Sequence, residues 1–260
     1  LKRSLTVLLF RASRKIGSHA FICGCGHSGT TLIATILGTH SQIYVPPRET
    51  AIFMPPRRPL GIVSIKRYRL CVGEAPAAGK QILIEKTPKH IEHVDLIRAQ
   101  IPGAKFIIPV RDGRDVATSI MRRKLDLGVG VDRWIRDNNL VSNELHKEDV
   151  LVYRHEDLVK EPVGVLKKIC GFVEVDYEET MLEYHKQQTL WNGAQNVEAT
   201  AERTGRHHNQ NRTWQVNQPI FDASGTWRNY ASEEELQEIT TGRGRPLMEL
   251  FGYLSAEGTR

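Results

Sequence analysis

Three glycines, a histidine and three hydroxyl residues are packed between Gly24 and Thr31, and together they form the stretch of this sequence best suited to hold an anion. The stretch Gly24-Cys25-Gly26-His27-Ser28-Gly29-Thr30-Thr31 follows a short apolar run, Ala20-Phe21-Ile22-Cys23, and leads into Leu32-Ile33-Ala34-Thr35-Ile36-Leu37. Strand, loop and first helix are expected in that order. The glycines allow a tight turn and close backbone approach, the start of the helix leaves amides unpaired, and Ser28, Thr30 and Thr31 add hydroxyl donors beside them. The plain alternative is a tight turn feeding a core helix. The spacing from Gly24 to Gly29 is that of an NTPase phosphate loop, yet Thr30 stands where that chemistry requires lysine. A nucleotide triphosphatase is therefore disfavoured.

The elements that must position this loop are legible along the chain. A length of 260 residues with 40% hydrophobic and 25% charged content suits one large α/β domain spanning 1–260. The net charge of +6 is uneven: Lys2, Arg3, Arg11, Arg14, Lys15 and Arg48 fall between Leu1 and Arg48 with no acid among them. That balance fits an anionic ligand or acidic acceptor and does not call for nucleic acid. The apolar run Leu5 to Phe10 is too short to span a bilayer. The chain begins with leucine, which leaves room for an anchor ahead of it. Cys23, Cys25, Cys71 and Cys170 lack paired zinc spacing and read as small buried side chains, with no metal expected.

Short apolar strands are expected at Gln81 to Glu85, Lys105 to Val110 and Asp149 to Tyr153, each followed by a polar turn. Helices are expected from His90 to Gln100, through Val116, Ala117, Ile120 and Met121, over Val131 to Leu145, and through Val165, Leu166 and Ile169. The repeated strand, charged turn and helix indicate a βαβ protein with its ligand along the carboxyl ends of the strands. Between Val45 and Pro59 five prolines with Arg48, Arg57 and Arg58 read as an irregular loop whose arginines could meet an acidic acceptor. The segment 187–218 is rich in Asn, Gln, Thr and His and reads as an excursion that covers a ligand, or as a plain surface loop. Ser232 and Glu235 form a capping box at the head of an acidic helix to Ile239, and Leu247, Leu250, Phe251 and Tyr253 form an apolar anchor.

Several motifs, in order, resemble those of sulfotransferases that use 3'-phosphoadenosine 5'-phosphosulfate (PAPS). The loop Gly26-His27-Ser28-Gly29-Thr30-Thr31 is similar to the family's 5'-phosphosulfate loop, with His27 where a lysine or arginine is usual. Val110-Arg111-Asp112-Gly113-Arg114-Asp115-Val116-Ala117-Thr118-Ser119 is similar to its 3'-phosphate motif, which implies Arg111 and Ser119 as the binding pair. Ser119 stands eight positions after Arg111, about two helical turns and the turn before them, so both can face one phosphate. Glu85-Lys86-Thr87-Pro88 resembles a block of Golgi-type carbohydrate sulfotransferases, and Lys86 matches a catalytic lysine of the protein-tyrosine branch. Tyr153-Arg154-His155-Glu156-Asp157-Leu158 resembles the Tyr-Glu-Asp-Leu segment with an insertion, which places Tyr153 at the cofactor. Ser224-Gly225-Thr226-Trp227-Arg228-Asn229-Tyr230 is similar to the late Gly-x-Trp segment, which places Trp227 and Arg228 there as well. The fold this resemblance implies is α/β and P-loop NTPase-like, three-layered, with a central parallel sheet flanked by helices.

The chemistry implied is transfer of a sulfuryl group from PAPS to a hydroxyl acceptor, leaving adenosine 3',5'-bisphosphate and requiring no metal. Such a transfer needs a base for the acceptor proton and cations for charge on the bridging and equatorial oxygens. Glu49, in a Glu-Thr pair like that of the protein-tyrosine branch, is the expected base, and Lys86 and His27 are the expected stabilisers of the leaving oxygen. A second assignment makes His27 the base and Glu49 structural. Arg48, Arg57 and Arg58 are the expected acceptor contacts; glycan hydroxyls, protein tyrosine and small alcohols or phenols all remain open as acceptors, and the family leaves room for a homodimer. The compartment is open too: cytoplasm for a bacterial chain, Golgi lumen for a eukaryotic one lacking its anchor. The competing function is a catalytically silent relative that binds an anionic glycan or a phosphorylated nucleotide.

Overall fold

Alternation along two strands sets the layering of the protein. In β1 (Ser18–Ile22), Ala20 and Ile22 face one apolar cluster while Phe21 and then Cys23 face another, and in the strand Lys105–Val110 Ile107 opposes Phe106, Ile108 and Val110 in the same way. A strand with apolar residues on both faces must be covered on both. The computed structural model describes residues 17–54, 68, 71–123, 126–187, 214 and 216–255. In it five parallel strands form one sheet in the order β2-β3-β1-β4-β5. The others are β2 (Ile43–Tyr44), β3 (Ile82–Lys86), β4 (Lys105–Val110) and β5 (Val150–Arg154).

One face carries α1 (Thr30–Gly38), α5 (His155–Lys160) and α6 (Pro162–Phe172), whose Ile33, Ile36, Leu158, Leu166 and Ile169 pack on Ile22 and Ile107. The other carries α2 (Val94–Gln100), α3 (Gly113–Met121) and α4 (Leu127–Ser142), with α7 (Gln237–Thr240) and α8 (Arg245–Leu250) beyond them. Trp134 of α4 is fully buried and donates from Nε1 to the Arg111 carbonyl at 3.0 Å, which fixes the end of β4 to the helix layer. Burying each such Ile or Phe contributes roughly 2 kcal/mol.

The strand order reverses between β1 and β4: the chain leaves β1 towards β2 and β3 on one side, then crosses to β4 and β5 on the other. Ligands in open α/β sheets bind at the carboxyl ends of strands where this happens. The loop after β1 and the turn after β4 therefore meet at one place.

Several local expectations are adjusted by the structure. The helix expected from His90 begins as a 3-10 turn, Pro88–His93, and becomes α-helical only at Val94, because Pro88 sets the first turn and lacks an amide. Ser232 and Glu235 do form the reciprocal capping bonds, amide to carboxylate at 2.8 Å and amide to hydroxyl at 3.2 Å, but the helix beyond is only Gln237–Thr240. Leu247 and Phe251 are buried as expected, whereas Leu250 is exposed. The segment 187–218 and the arginines Arg57 and Arg58 lie largely outside the described residues: of 188–218, only 214 and 216–218 are described.

Candidate anion cleft and the Glu49–Lys86 pair

The loop after β1 is held open by backbone geometry. Gly24 has φ 119° and Gly29 φ 88°, and His27, a non-glycine residue, sits at φ 74°. The amides of Cys23 and Gly24 are tied to the carbonyls of Ile107 and Pro88 at 3.2 and 3.0 Å. Gly29 is the N-cap of α1 and offers no side chain to the free amides of the first turn. Such a turn favours an anion. Ser28 is buried beneath the loop, its hydroxyl without a partner among the described residues.

A cleft opens above this turn, with roughly 840 Å³ of empty space including open solvent. Its polar side is formed by His27, Thr30, Thr31, Arg111, Ser119 and Arg123, and no carboxylate lines it among the described residues. Leu32, Tyr184, Ile220 and Phe221 form an apolar side. The Nδ1 atom of His27 lies 2.9 Å from the Ser119 hydroxyl. Arg111 donates from Nη1 to the His27 carbonyl and from Nη2 to the Ala223 carbonyl, both at 3.3 Å, while its Nε is buried without a partner among the described residues. Two long bonds to carbonyls leave the guanidinium fork able to turn to a stronger acceptor. The cleft thus fits a phosphorylated anion.

Arg111 is aimed by carboxylates that themselves avoid the cleft. Glu156, buried, accepts from the Asp112 amide at 3.1 Å and from the Tyr253 hydroxyl at 2.8 Å. Asp115 accepts the amides of Gly225 and Trp227 at 2.8 and 3.0 Å, so it pins the loop that brings Ala223 to Arg111. Gly26 faces away from these groups, and a Cβ there would meet the Arg133 guanidinium at 2.5 Å.

Glu49 and Lys86 sit one strand over. Lys86 ends β3 opposite Ile22 of β1. Its ammonium is fully buried and donates to Glu49 Oε1 at 2.7 Å, while Glu49 keeps 30% of its side chain exposed. His27 reaches Ser119, and Glu49 meets Lys86. Arg48 pairs instead with Glu74 at 3.1 Å, beside Tyr44.

The late segments settle elsewhere. Trp227 is buried in the α3/α4 core with the Arg114 and Arg228 guanidiniums 4.9 and 4.5 Å from its ring. Tyr153 packs with the α1/α6 core, and its buried hydroxyl has no partner among the described residues. Neither lines the cleft. The residue of that motif that does is His155. It is buried, its Nδ1 has no partner among the described residues, and a Cβ at Gly29 would lie 2.4 Å from that atom. Burial first, and then the Arg111 charge, pull its pKa down to about 3, so the ring is neutral. Two features point to it after the fact: helix α5 starts at His155 itself, and Glu156-Asp157-Leu158 follow it without an insertion.

Residues 64–179 match the model of the sulfotransferase family. The sulfotransferase domain of the Synechococcus PCC 7002 olefin synthase superposes with a TM-score of 0.65 at 20% identity, over 93% of this chain and 96% of that one. The chain has the sulfotransferase fold. A mouse sulfotransferase complexed with PAP superposes with a TM-score of 0.54 at 15% identity, over 95% of this chain and 93% of that one. In sequence, a Caenorhabditis briggsae protein named "Putative protein-tyrosine sulfotransferase" is 26% identical over 115 residues, 40% of this chain and 41% of that protein. The chain spans between 26% and 41% of the length of the curated relatives it matches.

The P-loop NTPase-like fold expected from the sequence is corrected by these superpositions: the architecture is the α/β sulfotransferase fold with a parallel sheet. With Thr30 in place of the loop lysine, positive charge reaches the anion turn from Arg111 at the end of β4 instead. No helix among the described residues is long and apolar enough to cross a membrane.

Proposed function

We propose that this chain belongs to the PAPS-dependent sulfotransferases and transfers the sulfuryl group to a hydroxyl acceptor. The observation that carries the reading is the cleft where Arg111, Ser119, His27 and the Gly29 turn converge, lined by no carboxylate among the described residues, with the Glu49–Lys86 pair at the next strand end. PAPS, when bound, supplies the sulfuryl group and adenosine 3',5'-bisphosphate as leaving group. Arg111 and Ser119 hold the 3'-phosphate, and the amides of Gly29, Thr30 and Thr31 hold the 5' side. Glu49, partly exposed and oriented by Lys86, takes the acceptor proton. Lys86, paired with Glu49, offsets negative charge at the leaving oxygen. The contact of His27 with Ser119 favours a place for it beside the 3'-phosphate residues, and it weighs against His27 as the base.

The acceptor class is a hydroxyl; the likeness to a protein named for tyrosine sulfation makes acidic tyrosine peptides the first acceptors to try, with glycans next. The reading of a silent glycan-binding relative loses its described arginine, because Arg48 is engaged by Glu74. Labelled PAPS with an acceptor panel tests the activity. Calorimetry tests the site: the chain binds adenosine 3',5'-bisphosphate well above adenosine 5'-phosphate, and Arg111→Ala removes about 2 kcal/mol of that difference. Equal affinities for the two nucleotides in the wild-type chain would sink the assignment.

A further inference from the structure

Next to the Glu49–Lys86 pair lies a second polar cluster, buried and not among the described residues that line the cleft. Glu85, Thr87 and His90 at the end of β3 are all buried, as is Thr50 in the segment after Glu49. Glu85 Oε1 accepts three bonds: from the Thr50 amide at 3.1 Å, from the Thr50 hydroxyl at 2.7 Å and from the Thr87 hydroxyl at 2.6 Å. The Thr87 hydroxyl accepts in turn from the Ala51 amide at 3.1 Å. His90 Nε2 accepts from the Phe53 amide at 3.3 Å, which puts the ring proton on Nδ1, 2.9 Å from Glu85 Oε2. Burial pushes the Glu85 pKa up, but the His90 ring and the Thr87 and Thr50 bonds outweigh it and hold the carboxyl below its ordinary value.

The backbone of residues 50, 51 and 53 is thus fastened to one strand end. Ala51 is held at φ 50°, a left-handed conformation that a non-glycine residue keeps only when its surroundings over-determine it. Side chains alternate along β3, so Glu85 grips this segment on one face while Lys86 meets Glu49 on the other. Phe53 closes the cluster edge-on against His90 and Phe21, at 5.6 and 5.9 Å between ring centroids.

We propose that Glu85, Thr87 and His90 form a clamp on residues 50–53 that positions Glu49 against Lys86, so that they act as positioning residues for proton abstraction. The inference rests on the reading of Glu49 as base. It assigns the cluster a role beyond stability, because a buried carboxylate is costly unless its partners compensate it, and two of the three bonds to Glu85 Oε1 come from Thr50, the residue next to Glu49.

Thr87→Val removes both hydroxyl bonds at nearly constant volume, and Thr87→Ser restores them. With saturating PAPS and an accepted hydroxyl, Thr87→Val lowers turnover roughly 10- to 100-fold, the scale of a slightly misplaced catalytic group. Thr87→Ser recovers it, and the affinity for adenosine 3',5'-bisphosphate stays within about twofold. In a Glu49→Gln background the Thr87→Val loss disappears, since there is no base left to misplace. An equal loss in both backgrounds, or a parallel loss of nucleotide affinity, overturns the proposal. Amide hydrogen exchange supplies a readout without activity: Ala51 and Phe53 exchange about tenfold faster in Thr87→Val and return to normal in Thr87→Ser, and unchanged rates overturn the clamp. A wild-type chain inactive with PAPS would instead strike the sulfuryl-transfer reading, with the clamp still decided by the exchange rates. If Thr87→Val does not fold, Thr50→Val poses the same questions from the other side of Glu85.

Discussion

At the scale of single residues the Glu49–Lys86 pair does two things that substitution will not separate cleanly. The Lys86 ammonium is fully buried and Glu49 is bonded to it at 2.7 Å, so Glu49→Gln removes a base and also the counter-charge of a buried cation. Loss of one partner of a fully buried pair costs about 3–5 kcal/mol. With 30% of the Glu49 side chain in solvent, the cost here falls below that range. Turnover in Glu49→Gln should drop roughly 10²-fold, the scale for losing a positioned base, with the affinity for adenosine 3',5'-bisphosphate unchanged and the urea midpoint lowered. Adding Lys86→Met to Glu49→Gln should recover part of the midpoint, because the buried positive charge is gone, while turnover stays low. Turnover that survives Glu49→Gln would return the role of base to another group, His27 first.

Among the elements, the turn into α1 makes the sharpest test of how the loop and β5 are fitted together. Gly29 has φ 88°, and a Cβ there would come within 2.4 Å of His155 Nδ1. Gly29→Ala therefore meets two penalties: about 1–2 kcal/mol for a left-handed alanine, and a clash with a buried ring. On sequence alone the same substitution is expected to leave folding untouched and weaken only nucleotide binding; His155 is the reason stability falls too. In Gly29→Ala combined with His155→Ala the clash share of the loss should vanish and the backbone share persist. Urea titration of the four chains of this cycle measures it, and strict additivity would show that the ring does not press on the turn. The sequence makes much of this architecture legible. The apolar run Lys105 to Val110 is a strand with those bounds, and the turn after it delivers Arg111, and the helix α3 that follows delivers Ser119, to the cleft because strand period and helix period are both local. What it hides depends on distant partners. Arg48 is an apparent loop cation until Glu74 of the helical run 71–77 meets it, and a two-residue edge strand such as β2 has too few residues to show a period. The motif resemblance points to Tyr153, whereas among the described residues it is His155, the first residue of α5 after a strand that runs to Arg154, that lines the cleft.

For the whole molecule, the buried ionisable groups fix how stability depends on acid. His155 has its pKa lowered from 6.5 to about 3, chiefly by burial and then by Arg111. Between those values the unfolded chain binds a proton that the folded chain refuses. Stability therefore falls as pH drops through that window, by up to about 1.4 kcal/mol per pH unit for this one group. Glu85 acts in the same direction lower down. Its pKa lies below 4.5 in the fold, so the stability it contributes is present above that value and is lost as pH falls through its folded value. The two groups can be told apart by where their removal acts. His155→Gln should leave the melting temperature at pH 7 nearly unchanged and flatten its decline between pH 6.5 and 4, because the substituted chain has no proton to refuse there. Glu85→Gln should be destabilised already at pH 7, where the clamp is broken, yet show a shallower loss below pH 4.5. Melting curves from pH 7 to pH 3.5 on the three chains decide the matter. If His155→Gln declines in parallel with the wild type across the upper window, the ring is not held neutral in the fold. The buried imidazole over the Gly29 turn would then become cationic below about pH 6.5, and in that window the cleft would carry one more positive charge towards its anion.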